Sequence, residues 1–543
     1  LLALLGFLLA FGTVVKWNLR VWREKRFFEH LRDLNVTEIA RLNGEFEGLD
    51  EGNEFADRTH PYSSDLDIYG AHSLWQLINR TTTSFGRNIL SGWLNNAGTR
   101  AEIAERQAAL AELHGEIDWR QEMEATGKMF EDPGESADSL ESWMQEKPFI
   151  SANPYYPKLP LILGSLFLLS LTALIMGFIP WYVTVGQLAL HMYINHRLSK
   201  PTEEIYKACD ERTKVLKAYA ALIERIEGKS FNANLLQGLQ KGLQTSGKPA
   251  FAEIAALARI LINLEVRLNG LPYFILNNSV FWDIIWIGRL ESWKKAHGAA
   301  IMQWFTVIGK IEALNSLAGL HFAQDEWVFP EISESDLEVI GEELGHPMLA
   351  IDNRVCNPVD LPESGRVWLV TGSNMSGKST YLRTVGINAV LALTGAPVCA
   401  RSLRISPLQI LTSMRTLDSL EESTSSFYAE LKRLQLVIQT VEKRSDVLFL
   451  LDEILKGTNS RDRHAGARAL IHQLQVSGGA GIVSTHDLEL VDLDQELPGK
   501  VINYSFNCGI TTDGQLDFDY TLTDGVCQSM NATELMRMMG IKM

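Results

Sequence analysis

The stretch "RVWLVTGSNMSGKST", residues 366–380, decides the fold of the C-terminal part of the chain. Residues 366–371 are mostly apolar and predict a buried strand, and the residues after Ser379 predict a helix. Between them, Gly372 to Ser379 match the pattern G-x-x-x-x-G-K-[ST], in which a glycine-rich loop holds phosphate groups. Because strand, loop and helix follow in the required order, the sequence predicts a phosphate-binding loop (P-loop) with ATP as its ligand.

Backbone N–H groups of such a loop, together with the N-terminus of the following helix, bind phosphate oxygens. Lys378 would neutralise charge on the β- and γ-phosphates, and the Ser379 hydroxyl would hold Mg²⁺. The nucleotide-binding residues predicted from this loop are Gly372, Ser373, Asn374, Met375, Ser376, Gly377, Lys378, Ser379 and Thr380.

Two further apolar runs predict buried parallel strands that end in polar side chains. The first, residues 447–451, is followed by Asp452, which we expect to reach Mg²⁺ through water, and by Glu453, which we expect to orient the attacking water. The second, within residues 480–490, ends near His486, which is placed to sense the γ-phosphate. The predicted catalytic residues are Glu453, His486 and Lys378, and the predicted metal ligands are Ser379 and Asp452.

These motifs resemble the ATPase domain of the MutS family, an ABC-type branch of the P-loop ATPases. The resemblance lies in "TGSNMSGKSTYLRTVG" (371–386), "LLDEILKGTNSRD" (450–462) and "STHDLEL" (484–490), and in "SSFYAEL" (425–431), which is similar to the start of that family's signature helix. A weaker resemblance to the helical MutS core covers residues 65–94.

The resemblance implies an ATPase that works as a homodimer through its ATPase domains, with nucleotide sites between the two subunits. It implies that Ser425 contacts the γ-phosphate bound to the partner and that residues 456–460 cross the dimer interface. Residues 353–358 are expected near the adenine. The segment between residues 16 and 65 is too short for the family's mismatch-recognition and connector domains, which we expect to be absent.

Two apolar segments predict membrane spans. Residues 1–15 contain no charged side chain and are followed by several basic residues, which suggests the end of a transmembrane helix with a cytoplasmic flank. Residues 159–196 lack Asp, Glu, Lys and Arg, and two passes of about 19 residues would fit a bilayer, with 176–181 as the turn. A third apolar stretch, 271–288, contains Asn and Asp and predicts a buried helix instead.

The predicted fold class is therefore multidomain: a MutS-like helical core with an inserted transmembrane hairpin, followed by an α/β ATPase domain. The predicted divisions are a transmembrane helix at 1–15, helical core at 16–157, transmembrane hairpin at 158–197, helical core at 198–340 and ATPase domain at 341–543. Since residue 1 is not Met, we also expect residues before it. The predicted location is the inner membrane, multi-pass, with the ATPase domain in the cytoplasm.

The main functional hypothesis is a membrane-anchored ATPase whose ATP cycle moves the helical core and the hairpin against an unidentified client protein, with the lipid bilayer as a partner. The alternative is a DNA-binding MutS homologue acting in mismatch repair or recombination. The net charge of −16 disfavours broad attraction to DNA. An ABC transporter subunit is disfavoured because two or three spans make no substrate pathway.

The five cysteines form no CxxC pair and have no histidine cluster at zinc spacing, which disfavours a disulfide framework or structural zinc and favours a reducing compartment.

Overall fold

The computed structural model describes residues 2–129, 137–245, 248–415, 426–510 and 516–527. The chain divides into two compact units. The helical unit comprises Leu1–Leu34, Arg80–Ile89 and Ile117–Ala313, and the α/β unit comprises Asn35–Asn79, Leu90–Glu116 and Leu314–Met543.

The helices and strands have the following bounds. The α-helices are α1 (Leu2–Leu42), α2 (Leu74–Ile78), α3 (Ser84–Asn95), α4 (Arg100–His114), α5 (Ile117–Lys128), α6 (Ala137–Met144), α7 (Ser165–Ile175), α8 (Trp181–Glu227), α9 (Asn234–Gly242), α10 (Ala250–Leu264), α11 (Gly270–Val280), α12 (Trp282–Ala323), α13 (Lys378–Thr394), α14 (Ser426–Val441), α15 (Ser460–Val476) and α16 (Leu493–Glu496). The strands are β1 (Gln244–Thr245), β2 (Lys248–Pro249), β3 (Glu331–Ile332), β4 (Val339–Leu344), β5 (Asn357–Leu361), β6 (Val367–Gly372), β7 (Ser402–Ile405), β8 (Gln409–Ser413), β9 (Val447–Asp452), β10 (Ala480–Thr485), β11 (Val501–Ile510) and β12 (Leu516–Asp524). Short 3₁₀ turns cover Asn53–Phe55, Tyr156–Lys158, Glu265–Leu268, Ile351–Asn353 and Leu488–Asp492, and Pro160–Gly164 form a π-helical turn.

The helical unit does not contain the predicted membrane spans. A spanning helix needs about 20 consecutive apolar residues, whereas α7 has 11 residues and α8 runs on without a break into its charged C-terminal part. Within the part of the chain that the structure describes, no helix combines the length and the apolar character needed to cross a membrane. The predicted transmembrane helix at 1–15 and the hairpin at 158–197 are therefore wrong. The multi-pass location depended on those spans and is wrong with them, and the structure gives no support for the lipid partner.

The polar side chains of the apolar stretch 159–196 explain the error. Helices α7 and α8 are joined by a turn at Gly177, and Ser170 on α7 donates to Gln187 Oε1 on α8 at 2.8 Å. His191 is fully buried, with Nδ1 2.9 Å from the carbonyl of Asn278, and Asn195 donates to the carbonyl of Asn277 at 2.7 Å. The stretch thus contributes hydrogen bonds between packed helices, which a count of charged residues does not detect.

The third apolar stretch, 271–288, is helical, as predicted, but it forms parts of two helices. It is divided between α11 and α12 at Phe281, whose φ of 57° breaks the helical path. The backbone amide of Asp283 donates to Asn277 Oδ1 at 3.1 Å, so the Asn277 side chain stabilises the break.

The α/β unit is built on a six-stranded sheet with the order β12-β11-β6-β10-β9-β8, in which only the β11–β12 pair is antiparallel. A four-stranded sheet with the order β3-β7-β4-β5 completes the unit. Strands β6 and β10 are buried along their whole length, which explains why their sequences are continuous apolar runs. The helical and α/β parts of the predicted fold are present.

The segment around Asp65 attaches the first part of the α/β unit to the six-stranded sheet. Asp65 is 5% exposed, and its carboxylate accepts hydrogen bonds from Thr412 Oγ1 at 2.6 Å and from the amides of Met414 and Arg415 at 3.2 Å each. These partners lie in the last residues of β8 and directly after it. The neighbouring Asp67 forms a more exposed bidentate pair with Arg415, at 2.7 Å for both contacts.

We expect Asp65→Asn to destabilise the α/β unit by about 2–3 kcal/mol, because an amide nitrogen would face a buried donor. Asp67→Asn is the matched control and should cost only about 0–1 kcal/mol, as an exposed pair does. Thermal unfolding of the two variants checks this. Equal midpoints for both variants would show that the buried contacts of Asp65 do not stabilise the unit.

Candidate functional site

The P-loop follows β6 and leads into α13. Two of its residues adopt left-handed backbone conformations, Met375 with φ 68° and Gly377 with φ 101°. A Cβ added at Gly377 would lie 3.1 Å from the ring of Tyr520, so both the conformation and the space favour glycine.

The buried Lys378 ammonium donates to the carbonyls of Gly372 at 3.0 Å and Ser373 at 2.9 Å. Burial lowers the pKa of Lys378, and the carboxylates of Glu453 and Asp452 oppose that shift.

Asp452, at the end of β9, contacts two hydroxyl groups. Ser379 Oγ donates to Asp452 Oδ2 at 2.6 Å, and Ser484 Oγ donates to Asp452 Oδ1. Carboxylate and hydroxyl oxygens are the ligands that Mg²⁺ prefers. The donor set of Ser379 and Asp452 therefore fits this ion. Ser484 was not predicted, because its role follows from its pairing with Asp452 across β9 and β10.

Glu453 lies between two basic side chains. Its carboxylate accepts from His486 Nε2 at 2.7 Å and pairs with Lys456 Nζ at 3.0 Å. The contact with a carboxylate assigns the proton of His486 to Nε2, since the carboxylate can only accept. The hydrogen bond from His486 is the main reason that the pKa of Glu453 falls to about 2, against the opposing effect of burial. Lys378 Nζ lies 3.4 Å from the same His486 nitrogen.

The catalytic loop, defined here as residues 453–457, has an unusual backbone. Glu453 and Leu455 have φ values of 51° and 61°, which residues other than glycine rarely adopt. Each such residue costs about 1–3 kcal/mol and needs support from its surroundings. The Glu453 amide bonds to the carbonyl of Ser484 at 3.1 Å, and the Leu455 amide bonds to Glu430 Oε1 on α14.

A cavity of about 740 Å³ adjoins the P-loop, within the size range of small-molecule sites. Its wall includes side chains on several elements: Leu344, His346, Leu349, Asp352, Asn353, Val355, Asn357, Asn374, Met375, Ser376, Lys378, Ser379, Thr380, Tyr381, Thr384, Glu453, Phe506 and Tyr520. Apolar and aromatic groups on this wall suit a planar base. The segment 353–358, which the resemblance places near the adenine, contributes Asn353, Val355 and Asn357.

The structure brings most of the predicted site residues together. Asn374, Met375, Ser376, Gly377, Lys378, Ser379, Thr380 and Glu453 line the cavity. Gly372 and Ser373 contact the Lys378 ammonium, Asp452 contacts Ser379, and His486 contacts Glu453. Ser425 lies outside the described residues. His346, Tyr520 and Glu430 were not predicted as site residues. Glu430 lies within the quoted stretch 425–431, but its contact with Leu455 depends on tertiary packing.

The fold and the site define a nucleotide-binding domain of the P-loop class: a parallel sheet carries the loop, the Ser379–Asp452 pair and the Glu453–His486 pair at one edge. Residues 368–542 match the family model of MutS domain V. This part of the chain, about a third of it, is similar to that domain.

Three similar proteins carry the name "DNA mismatch repair protein MutS". The protein from Aquifex pyrophilus is 33% identical over 53% of this chain and 32% of its own length. The protein from Natronomonas pharaonis is 31% identical over 44% of this chain and 28% of its own length. The protein from Thermotoga maritima is 30% identical over 46% of this chain and 31% of its own length. The chain thus spans about a third of the length of these relatives.

We expect His346 to make the α/β unit acid-sensitive. Burial lowers its pKa from 6.5 to about 4, and its Nδ1 accepts from the amide of Met348 at 3.2 Å. Between pH 6.5 and 4 the unfolded chain binds a proton that the folded chain does not, so stability falls as the pH falls, by about 2 kcal/mol at pH 5. His346→Asn keeps an acceptor for Met348 and removes this titration.

The thermal midpoint of His346→Asn should therefore fall less than that of the original chain when the pH is lowered from about 7.5 to about 5. His472 is exposed on α15, and His472→Asn is the control that should keep the original pH response. An identical acid response in all three proteins would contradict the assignment.

Proposed function

We propose that the chain is an ATPase of the MutS type, which binds ATP with Mg²⁺ at the P-loop and hydrolyses it. The observation that supports this most is the convergence of Lys378, the Ser379–Asp452 pair and the Glu453–His486 pair beside one cavity. Phosphoryl transfer to water would use each member of this set.

The P-loop and Lys378 would bind the phosphates. Backbone N–H groups of the loop and of the first turn of α13 would contact phosphate oxygens, and the Lys378 ammonium would exchange its bonds with the loop carbonyls for bonds to phosphate. Ser379 and Asp452 would hold Mg²⁺. That ion supplies charge neutralisation on the phosphate oxygens when it is bound.

Glu453 would orient the attacking water. Its low pKa keeps it ionised at neutral pH, so it can accept a hydrogen bond from water but is a weak base for a complete proton transfer. His486 would hold the Glu453 side chain in place and face the γ-phosphate from the same edge of the sheet. Orientation of the water is therefore the role that we assign to Glu453.

We propose that two chains form a homodimer through their ATPase domains. This proposal is supported by the resemblance to the MutS family. The stretches "SSFYAEL" (425–431) and "LLDEILKGTNSRD" (450–462) are similar to parts of the ATPase domain through which that family forms dimers. In such a dimer Ser425 of one chain would contact the γ-phosphate bound by the other, and residues 456–460 would lie at the interface.

A DNA-linked role is the second candidate and replaces the membrane-coupled hypothesis. It is supported by the relatives, whose shared name is DNA mismatch repair protein MutS. Because the chain covers only about a third of those proteins, recognition of mismatched DNA does not carry over from them. Binding to DNA in some form, coupled to the ATP cycle, is the proposal.

Glu453→Gln should retain ATP binding and lose hydrolysis by about 100-fold or more, because the amide no longer orients water as a carboxylate does. The measurements are steady-state ATP hydrolysis and equilibrium binding of a fluorescent ATP analogue. Turnover at the original rate would show that Glu453 is not the water-orienting residue.

Two controls accompany this variant. Lys378→Ala should lose nucleotide binding itself, which separates a binding defect from a hydrolysis defect. Glu442→Gln changes an exposed carboxylate at the end of the α14 region and should leave both binding and hydrolysis unchanged. A full loss of hydrolysis in Glu442→Gln would mean that the assay reports general damage.

For DNA, gel-shift titrations of the full chain with homoduplex, mismatched and branched duplexes should give submicromolar binding to at least one form at physiological salt. Binding should weaken steeply as salt rises, because phosphate contacts release counterions. Bovine serum albumin serves as a non-binding control. The absence of binding to every form, with and without ATP, would remove the DNA-linked proposal and leave the ATPase proposal standing.

A further inference from the structure

The catalytic loop is supported from α14 by two side chains. Glu430 Oε1 accepts the amide hydrogen of Leu455, the second of the two residues with a left-handed backbone. Phe427 packs against Gly457, where an added Cβ would lie 2.7 Å from Phe427 Cβ. Both ends of the Leu455–Gly457 segment therefore rest on the first two turns of one helix.

The contact with Glu430 is partly shielded from water, since Glu430 itself is half-buried. Leu455 is 7% exposed, and burial raises the pKa of Glu430 while the Leu455 amide acts in the opposite direction. A buried amide that loses its acceptor is costly, so the Leu455 amide would seek another partner if Glu430 were truncated. Because Leu455 already has an unfavourable φ, the backbone would relax away from its present path.

A change in that path would reach Glu453, which is two residues earlier and also has a left-handed backbone. The other contacts of Glu453 are its amide bond to the Ser484 carbonyl and its side-chain bonds to His486 and Lys456. Lys456 lies directly beside Leu455 in the chain. A displacement of Leu455 therefore moves one of the two basic partners of the Glu453 carboxylate.

We propose that Glu430 is a positioning residue for ATP hydrolysis: it fixes the catalytic loop so that the Glu453 carboxylate faces the attacking water. Glu430 does not line the cavity beside the P-loop, and it acts through Glu453. The proposal rests on the proposed ATPase function. It also means that any shift of α14 changes the geometry at Glu453, because the hydrogen bond to Leu455 connects the helix with the loop.

The first experiment compares kcat and KM for ATP hydrolysis by the full chain and three variants. Glu430→Ala removes the acceptor and should lower kcat by about 10- to 100-fold, the size of effect expected from a misplaced group, with KM within about threefold. Glu430→Gln keeps an oxygen that can accept from the Leu455 amide and should restore kcat to within about threefold. Gln435→Ala, an exposed truncation of similar size on α14, should match the original chain.

The second experiment is hydrogen–deuterium exchange of the peptide that covers residues 453–457, without nucleotide. Exchange should be faster in Glu430→Ala than in Gln435→Ala when both are folded, as judged by thermal midpoint. This readout does not depend on turnover. If the original chain fails to hydrolyse ATP, the proposed function fails, and the exchange result still decides whether Glu430 fixes the loop.

An unchanged kcat in Glu430→Ala would overturn the proposal, as would unchanged exchange at residues 453–457. Equal losses in Glu430→Ala and Glu430→Gln would also overturn it, because the second variant retains the acceptor. A fall in kcat that only follows a lower thermal midpoint, with exchange raised throughout the α/β unit, would assign Glu430 a general structural role instead.

Discussion

The parallel register of β6, β10 and β9 is the constraint on which the site depends. Thr371 pairs with Thr485 across β6 and β10, and Ser484 pairs with Asp452 across β10 and β9. Since the carboxyl ends of parallel strands meet at one edge, the P-loop, the Asp452 carboxylate and His486 arrive there from three distant parts of the sequence. A slip by one residue would turn each of these side chains to the other face of the sheet.

Backbone conformation is the second constraint, and it differs between the two loops of the site. In the P-loop, glycine supplies one of the left-handed conformations, so Gly377 needs no external support for its φ. In the catalytic loop, Glu453 and Leu455 hold left-handed conformations that only their surroundings can maintain. Among residues other than glycine, the P-loop holds one left-handed conformation, at Met375, and the catalytic loop holds two, so the catalytic loop depends more on its surroundings, β10 and α14.

This difference explains how much of the site could be predicted from the sequence. The P-loop residues form a local pattern with fixed spacing, and the apolar run before Asp452 marks a buried strand, so both were recognised without tertiary information. Glu430 lies within the recognised stretch 425–431, but its partner Leu455 is on a different loop, and the burial of His346 depends on tertiary packing, so neither role could be predicted from local sequence. Ser425 was inferred from the resemblance alone.

The prediction failed in the helical unit for a related reason. The absence of charged residues over 159–196 predicts a membrane span, but the stretch contains Ser170, Gln187, His191 and Asn195. These side chains bond to one another or to the backbone of α11. Composition reports how apolar a segment is, and it does not report whether the few polar groups already have partners within the protein. Helix length was the second missing quantity, since it depends on where Gly177 interrupts the chain.

Charge acts differently on the two proposed ligands. A nucleotide triphosphate is small, and its attraction comes from groups within a few ångströms: the P-loop amides, Lys378 and a bound Mg²⁺. At physiological salt, charges beyond about 8 Å are largely screened, so the net charge of −16 has little influence on that site. A DNA duplex presents phosphates over a much longer surface and needs a matching row of basic side chains. The acidic composition is therefore compatible with tight ATP binding, while any DNA binding must come from a local basic surface or from the juxtaposition of two chains in a dimer.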